Sequence, residues 1–236
     1  IRDSNNSKVK SIDKLKTKIK VSVVTENGSL QIDGNIALLA IGVEGNINNI
    51  GLKDVGVKSE NGSISINNHC QTNISNIYAI GDVAGPPWLA HKASAQGHMV
   101  ADLICGKSVH EVDYFNIPNC TYCQPQVASL GLTESKAKDL GRNIKVGRFF
   151  FRASGKAMAV GNTFGFVKLI FDDRYGELIG AHIIGDGATE MIAELNIAKA
   201  LESTWEDLAM TMHAHPTLSE AVMEAAMDAF GSAIHQ

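Results

Sequence analysis

The sequence predicts an α/β segment followed by an α+β domain. The first observation is an apolar run over residues 36–41 that ends at Gly42. A buried strand that stops at a glycine is a common ligand-side edge of an α/β sheet. The second observation is a pair of apolar strands, at 165–171 and 178–184, which precede three helical stretches. Strands followed by a terminal run of helices indicate an α+β layout.

The chain before about residue 113 has the pattern of strands, turns and one helix. Lysines from Lys14 onward alternate with mostly apolar residues as far as Val21, which is the two-residue period of a half-buried strand with a solvated face. An Asn-Gly pair before an alternating segment indicates a β-hairpin. The predicted elements are a strand at 19–24, a turn at 26–29, the strand at 36–41, a hairpin at 61–66, a short buried strand at 77–80 stopped by Gly81-Asp82, and a helix at 89–104.

The pattern changes at about Asp113, where we place a domain boundary. Gly141 follows a helical stretch at the position that helices favour for glycine. The two apolar strands after it are joined by a connection of hairpin length. The predicted elements here are a helix at 133–140, strands at 165–171 and 178–184, and helices at 187–201, 205–211 and 218–230.

The composition excludes several classes of protein. The 236 residues are 44% hydrophobic and 19% charged, which is ordinary for a globular protein and unlike a disordered one. A net charge of −4 argues against nucleic acid as the main partner. No apolar run reaches the length of a membrane span and no signal-peptide pattern opens the chain, so we expect a cytoplasmic protein. Because the chain opens without a methionine, we also expect a fragment.

The loop from Gly185 to Glu190 lies between a predicted strand and a predicted helix, where a dinucleotide fingerprint would lie. Glu190 replaces the last glycine of that fingerprint, and the carboxylates of Asp186 and Glu190 would repel a pyrophosphate. No complete fingerprint occurs elsewhere in the sequence. A phosphate loop for a dinucleotide would therefore lie outside this chain.

Cys120 and Cys123 are spaced as a redox pair or as half of a zinc site. A zinc site needs two further ligands, and the other cysteines, Cys70 and Cys105, form no second Cys-x-x-Cys. A thioredoxin-type pair needs a helix amino terminus beside it, whereas the residues after Cys123 have the pattern of extended chain. We therefore expect neither a metal site nor a catalytic thiol here.

The stretch from His213 to Glu220 holds a candidate acid/base pair. His213 and His215 alone could clamp a metal, but no third ligand is evident nearby. A histidine titrates near neutral pH, and a carboxylate on its second ring nitrogen fixes its tautomer. Glu220 could instead complete a capping box by bonding the Thr217 backbone amide. The spacing favours the cap, but the two explanations are compatible.

Several separated strings resemble those of the pyridine nucleotide-disulfide oxidoreductases. The string at 72–83 resembles their second flavin-binding motif, and 88–93 resembles the segment that lays a helix amino terminus beside the flavin. The strings at 125–134 and 165–168 resemble the opening strands of their dimerisation domain. The string at 213–220 is similar to the catalytic His-Glu string of the members that oxidise dihydrolipoamide.

The resemblance implies roles for individual residues. Position alone leaves Asp82 either as a ligand contact at a strand end or as a helix cap, and the resemblance assigns it to the ribityl hydroxyls of FAD. Gly42 would lie beside the NAD site, although residues 43–46 lack the Arg and Pro that many relatives have there. His215 would be the acid/base and Glu220 its orienting partner. The residues implied to line the isoalloxazine are Trp88, Leu89, Ala90 and His91.

The resemblance also implies an organisation and a set of partners. Residues 1–45 would end a Rossmann-like NAD-binding domain, 46–113 would be a central segment that completes the FAD domain, and 114–236 would form an α+β dimerisation domain. The partners would be a second copy of the chain, through 114–236, and the lipoyl domain of a 2-oxo acid dehydrogenase complex, with no nucleic acid and no membrane.

The first flavin loop, the redox-active cysteine pair and the NAD phosphate loop would lie upstream, so the fragment alone would be inactive. The alternatives are a glutathione or mercuric reductase type of enzyme and a non-catalytic dimerisation module. Leu218 after Thr217 favours the lipoamide type.

Overall fold

The computed structural model describes residues 6–235. Residues 1–5, which open the segment predicted to end the NAD-binding domain, and Gln236 lie outside this range. The chain divides into two compact units, the first ending at Glu44 and the second beginning at Gly45. No helix within the described range has both the length and the apolar character that a membrane crossing requires. The domain boundaries inferred from the resemblance remain predictions.

The structure contains ten strands and six α-helices within the described residues. The strands are β1 (Lys8–Lys14), β2 (Ile19–Thr25), β3 (Gly28–Gly34), β4 (Ser59–Glu60), β5 (Ser63–Ile64), β6 (Asn119–Thr121), β7 (Gln126–Gly131), β8 (Ile144–Phe150), β9 (Gly165–Asp172) and β10 (Leu178–Gly185). The helices are α1 (Ala90–Ile104), α2 (Glu134–Asp139), α3 (Gly155–Ala159), α4 (Ala188–Ala200), α5 (Trp205–Met210) and α6 (Glu220–Asp228).

The first unit contains an antiparallel sheet in the order β1-β2-β3. The predicted strand at 19–24 and the turn after it are confirmed, because β2 and β3 form a hairpin in which Thr25 pairs with Gly28. The single strand predicted across the alternating lysines is wrong. The backbone N–H of Leu15 donates to the carbonyl oxygen of Lys18 at 2.8 Å and reverses the chain between β1 and β2. A two-residue period can continue across such a reversal, so the alternation did not reveal it.

The apolar run at 36–41 is not a strand, so that prediction is also wrong. Ile36, Leu38 and Ile41 are exposed, and the run has no regular secondary structure. A wholly apolar strand is stable where neighbouring strands satisfy its backbone groups and other elements cover both faces. In the described part of the first unit, the sheet includes only β1, β2 and β3 and does not extend to this run.

The second unit begins with short elements and one long helix. The hairpin predicted at the Asn-Gly pair is confirmed, with positive φ at both Asn61 (49°) and Gly62 (75°), as a two-residue turn between β4 and β5 requires. The predicted strand at 77–80 is reduced to a single bridge between Gln71 and Tyr78. Ala79 is buried, but no strand of the described chain lies alongside to extend the pairing. The predicted helix at 89–104 is confirmed as α1.

The remainder of the second unit is a five-stranded antiparallel sheet with helices on both faces, which confirms the α+β prediction. The strand order is β6-β7-β10-β9-β8. Side chains alternate along β9 as expected for a strand. Val167, Leu169 and Phe171 join the core beneath α4 and α6, whereas Ile170 packs with Ala137 of α2. The predicted helices at 133–140, 187–201, 205–211 and 218–230 correspond to α2, α4, α5 and α6.

Helix α6 approaches the sheet closely at Gly147 in β8. A Cβ atom at position 147 would lie 1.8 Å from the carbonyl oxygen of Ala225 and 2.7 Å from the backbone nitrogen of Ala229. Nearby, the carboxylate of Asp228 accepts a hydrogen bond from the backbone N–H of Arg148 at 2.7 Å. The absence of a side chain at Gly147 therefore fixes how near α6 lies to the sheet.

We predict that Gly147→Ala destabilises the chain by about 1–3 kcal/mol or more, because backbone must move to admit the methyl group. The matched control is Gly155→Ala, where a Cβ would have nothing within 4 Å. That change should alter the free energy of unfolding by less than about 1 kcal/mol. Urea unfolding followed by circular dichroism measures both. Equal effects of the two substitutions would contradict the close approach of α6.

Candidate active site

The candidate acid/base pair forms a direct contact. Nδ1 of His215 lies 2.8 Å from Oε1 of Glu220, the first residue of α6. The His215 side chain is 78% exposed, whereas the Glu220 side chain is 26% exposed. The described chain offers no hydrogen-bond partner to Nε2 of His215. One ring nitrogen is thus held by the carboxylate and the other faces outward.

Glu220 also makes one of the two contacts of the predicted capping box, the one with the Thr217 backbone. Its second oxygen, Oε2, accepts a hydrogen bond from the backbone N–H of Thr217 at 2.8 Å. The Thr217 hydroxyl donates to the carbonyl oxygen of Ala214 at 2.6 Å and does not cap the helix. The residue before α6, Ser219, provides no side-chain cap either. The two oxygens of one carboxylate therefore hold the chain before α6 and the imidazole.

The surroundings of Glu220 favour its ionised form. Burial by itself raises the pKa of this carboxyl group, but the hydrogen bonds from Thr217 and His215 and the nearby His215 and His213 rings together lower it below its usual value. An ionised Glu220 accepts from Nδ1–H of His215, which leaves a lone pair on Nε2. The pair can therefore take up a proton at Nε2 and stabilise the resulting imidazolium.

His213 lies beside the pair but has a different partner. Its Nε2 lies 2.6 Å from Oε1 of Glu194 in α4, and its Nδ1 lies 2.9 Å from the carbonyl oxygen of Thr211. Among residues 6–235, no group of three or more His, Cys, Asp and Glu side chains could hold a metal ion. Sequence reasoning missed Glu194, since its position 19 residues before His213 gives no local signal.

Asp82 lies in a tight turn that two buried side chains of α1 hold in place. The turn spans Gly81–Ala84, and the Asp82 side chain is exposed without a hydrogen bond to the described chain. The Nζ of Lys92, which is 1% exposed, donates to the carbonyl oxygens of Gly81 at 3.1 Å and Gly85 at 2.5 Å. The Oε1 of Gln96 accepts from the Gly81 N–H at 2.8 Å. No role was predicted for Lys92 or Gln96.

Burial lowers the pKa of Lys92, while the nearby Asp82 carboxylate opposes that shift. The side chain thus has two backbone carbonyls and one carboxylate around it in place of water. Such a buried amine fixes the path of residues 81–85 and with it the position of Asp82.

The amino terminus of α1 is open. Leu89 is its N-cap residue and has no side-chain acceptor for the first backbone N–H groups. Such a terminus carries a partial positive charge and attracts electronegative ligand atoms. The His91 side chain turns towards the Pro118 carbonyl oxygen, with Nε2 2.8 Å away. Of the residues predicted to line a flavin, Trp88 and His91 are exposed, and Ala90 contributes its backbone to the open terminus.

Gly42, the remaining predicted site residue, lies in the first unit. It is exposed, its φ is 125°, and a Cβ there would have nothing within 4 Å. Its role beside a nicotinamide cofactor remains a prediction.

The thiols of Cys120 and Cys123 are free. Burial, together with the charge of Glu190, raises the pKa of the Cys120 thiol. The Cys123 thiol donates to the carbonyl oxygen of Pro125 at 3.0 Å.

Comparison with known protein families identifies the class of protein to which this fold and this His-Glu pair belong. Residues 1–97 match the pyridine nucleotide-disulphide oxidoreductase domain, and residues 117–226 match the dimerisation domain of the same proteins. The chain belongs to the pyridine nucleotide-disulphide oxidoreductase family.

Its curated relatives include dihydrolipoyl dehydrogenases. That of Rhizobium etli is 48% identical over 98% of this chain and 48% of its own length. One from Bacillus subtilis is 46% identical over 84% of the chain and 42% of its own length. The chain therefore spans about half the length of these relatives.

Solved structures have the same fold. LpdA from Mycobacterium tuberculosis superposes with a TM-score of 0.83 at 25% identity, over 94% of this chain and 48% of its own. The flavoprotein disulfide reductase RclA from Escherichia coli superposes with a TM-score of 0.82 at 22% identity, over 93% of this chain and 50% of its own. At that identity, the likeness to RclA concerns the fold alone.

We predict that Glu220 titrates below the exposed glutamates, and that His215→Ala raises its pKa because two of the lowering interactions disappear. Its contribution to stability is then complete above the unfolded-state pKa and is lost as the pH falls through the lower folded-state pKa. Carboxyl ¹³C NMR titration measures this directly. As a control, His235→Ala should leave Glu220 unchanged, because His235 pairs with Glu224. A Glu220 midpoint at or above those of exposed glutamates would contradict the arrangement.

Proposed function

We propose that this chain is the carboxyl-terminal part of a flavin-dependent disulfide oxidoreductase that oxidises protein-bound dihydrolipoamide and passes the electrons to NAD. One observation carries the proposal. In a chain 48% identical to a dihydrolipoyl dehydrogenase, an outward-facing histidine is held by a carboxylate at 2.8 Å. The activity requires the part of the relatives that this chain does not span.

The residues of the second unit fit a flavin. The open amino terminus of α1 supplies backbone N–H groups for the electronegative edge of an isoalloxazine, and the exposed Asp82 carboxylate supplies an acceptor for ribityl hydroxyls. Lys92 and Gln96 hold the turn that carries Asp82. When bound, FAD would carry electrons between a redox disulfide and NAD. Gly42 is proposed to lie beside the NAD site, and no metal is required.

In the proposed reaction, His215 acts as the base for a thiol of dihydrolipoamide. Nε2 takes the thiol proton as the sulfur attacks one sulfur of the redox disulfide, whose S–S bond breaks and releases a thiolate. The second substrate sulfur then attacks the first substrate sulfur in the mixed disulfide and expels the enzyme cysteine, which takes the second thiol proton. This step forms the S–S bond of lipoamide and leaves the enzyme's cysteines reduced. Glu220 stabilises the imidazolium that His215 forms.

The partners follow from the same assignment. The match of residues 117–226 to a dimerisation domain supports a homodimer, built as a two-fold contact in which one surface is used twice. The proposed substrate-bearing partner is the lipoyl domain of a 2-oxo acid dehydrogenase complex. The proposed location is the cytoplasm.

Two alternatives fit less well. A glutathione or mercuric reductase type of enzyme would share the fold, but the curated relatives described above are dihydrolipoyl dehydrogenases. A non-catalytic dimerisation module would need Glu220 only for its contact with the Thr217 backbone, and the second contact of that carboxylate with an exposed His215 would have no use.

We predict that His215→Ala lowers the turnover of dihydrolipoamide by roughly 10²- to 10⁴-fold in the complete protein, encoded together with the sequence upstream of residue 1. Glu220→Gln should cost less, because the histidine can still accept a proton. NADH oxidation by ferricyanide serves as the control, since it passes through the flavin without a thiol and should change little.

Steady-state kinetics of both reactions make the comparison. A complete wild-type protein that does not oxidise dihydrolipoamide would refute the proposed function. A His215→Ala variant with full turnover would refute the role of this histidine.

A further inference from the structure

We propose that His213 and Glu194 form a positioning pair that anchors the segment carrying His215 to helix α4 and so sets the place of the base. This inference rests on the proposed function and extends it to two residues outside the His215–Glu220 pair. His213 belongs to the motif that first suggested a metal clamp, and the proposed acid/base reaction uses His215 and Glu220 but not His213.

His213 is held more tightly than His215. Its side chain is 6% exposed, compared with 78% for His215. Both of its ring nitrogens have partners at short distance, Glu194 at 2.6 Å and the Thr211 carbonyl oxygen at 2.9 Å. A buried ring with two partners has one orientation, whereas the exposed ring depends on its backbone for its position.

The partners of His213 are both hydrogen-bond acceptors. The carbonyl oxygen of Thr211 can only accept, so it binds a protonated Nδ1. The carboxylate oxygen of Glu194 accepts from Nε2 when that nitrogen also carries a proton. In that form the contact is a charge-assisted hydrogen bond, which is shorter and stronger than a neutral one.

Glu194 is held in a fixed position by the packing of helix α4. It precedes Leu195, which is fully buried in the core between α4 and the sheet. The segment from Thr211 to Ser219, by contrast, has no helix or strand of its own. Its side-chain anchors before Thr217 are the hydrogen bond from the Thr211 hydroxyl to the Asp207 carbonyl oxygen at 2.7 Å and the His213–Glu194 contact. The second is the one that ties the segment to the packed sheet layer.

The charge on His213 has a second effect. It is one of the groups that lower the pKa of Glu220, along with the Thr217 N–H and His215, against the opposing effect of burial. When it is protonated, His213 therefore helps to keep Glu220 ionised as the partner of His215. The same residue thus supports both the position of His215 and the charge of its partner.

The test uses the complete protein and the variants His213→Gln, Glu194→Gln and the double variant. We expect His213→Gln to lower kcat for dihydrolipoamide by roughly 10- to 10²-fold, as a displaced catalytic group does, with ferricyanide reduction unchanged. The double variant should lose no more than the larger single loss, because one interaction is removed in each case. A purely structural role would lower both reactions together.

The matched control is His235→Gln. His235 also contacts a carboxylate of α6, Glu224, at 2.6 Å, but it lies outside the segment that carries His215. Its loss should leave the dihydrolipoamide reaction within about threefold of wild type, as expected of a surface change.

A second readout does not depend on activity. With ¹³C-labelled histidine Cε1, the His215 signal should shift in His213→Gln and remain in place in His235→Gln. If His213→Gln leaves both the His215 signal and the dihydrolipoamide kcat unchanged, the inference is wrong. If wild type fails to oxidise dihydrolipoamide, the proposed function is wrong, and the His215 signal alone then decides whether His213 positions that ring.

Discussion

The carboxylate of Glu220 is the interaction on which the site depends. One oxygen accepts from the Thr217 backbone and the other from His215, at 2.8 Å in both cases. Because a single rigid group makes both bonds, the start of α6 and the direction of the imidazole are set together. A contact between the first turn of a helix and the backbone before it is ordinarily a stabilising feature of modest size. Here the same group also decides which nitrogen of the histidine is available for proton transfer.

The packing of helices α4 and α6 on the five-stranded sheet fixes the position of the Glu220 carboxylate. Helix α6 lies against β8 at Gly147, where no side chain separates the backbones, and Asp228 bonds the neighbouring strand residue. Helix α4 packs on the same face of the sheet and presents Glu194 to His213. The loop that carries His215 is thus fastened at both ends to helices whose positions the sheet fixes, which is how an exposed base acquires a defined place.

The sequence predicted the parts of this arrangement that are local. The helices and the hairpin of β9 and β10 follow from periodicity and turn residues. The spacing of Thr217 and Glu220 predicted the backbone contact of the carboxylate, and the family resemblance predicted its contact with His215. Contacts between different elements of the fold were not predictable. No sequence pattern near Lys92 or His213 indicates that their partners are Gly85 and Glu194. The apolar run at 36–41 failed as a strand for a related reason, since apolar character indicates burial only where a partner surface is present.

The most direct test of this account is the tautomer of neutral His215 in the complete protein. Ring ¹⁵N chemical shifts distinguish a protonated nitrogen from an unprotonated one. The account predicts a proton on Nδ1, donated to Glu220, and a bare Nε2 able to receive the proton of a substrate thiol. It also predicts that Glu220→Ala removes this preference. A neutral His215 protonated at Nε2 in the wild-type protein would contradict the central claim, because the nitrogen facing the substrate could not act as the base.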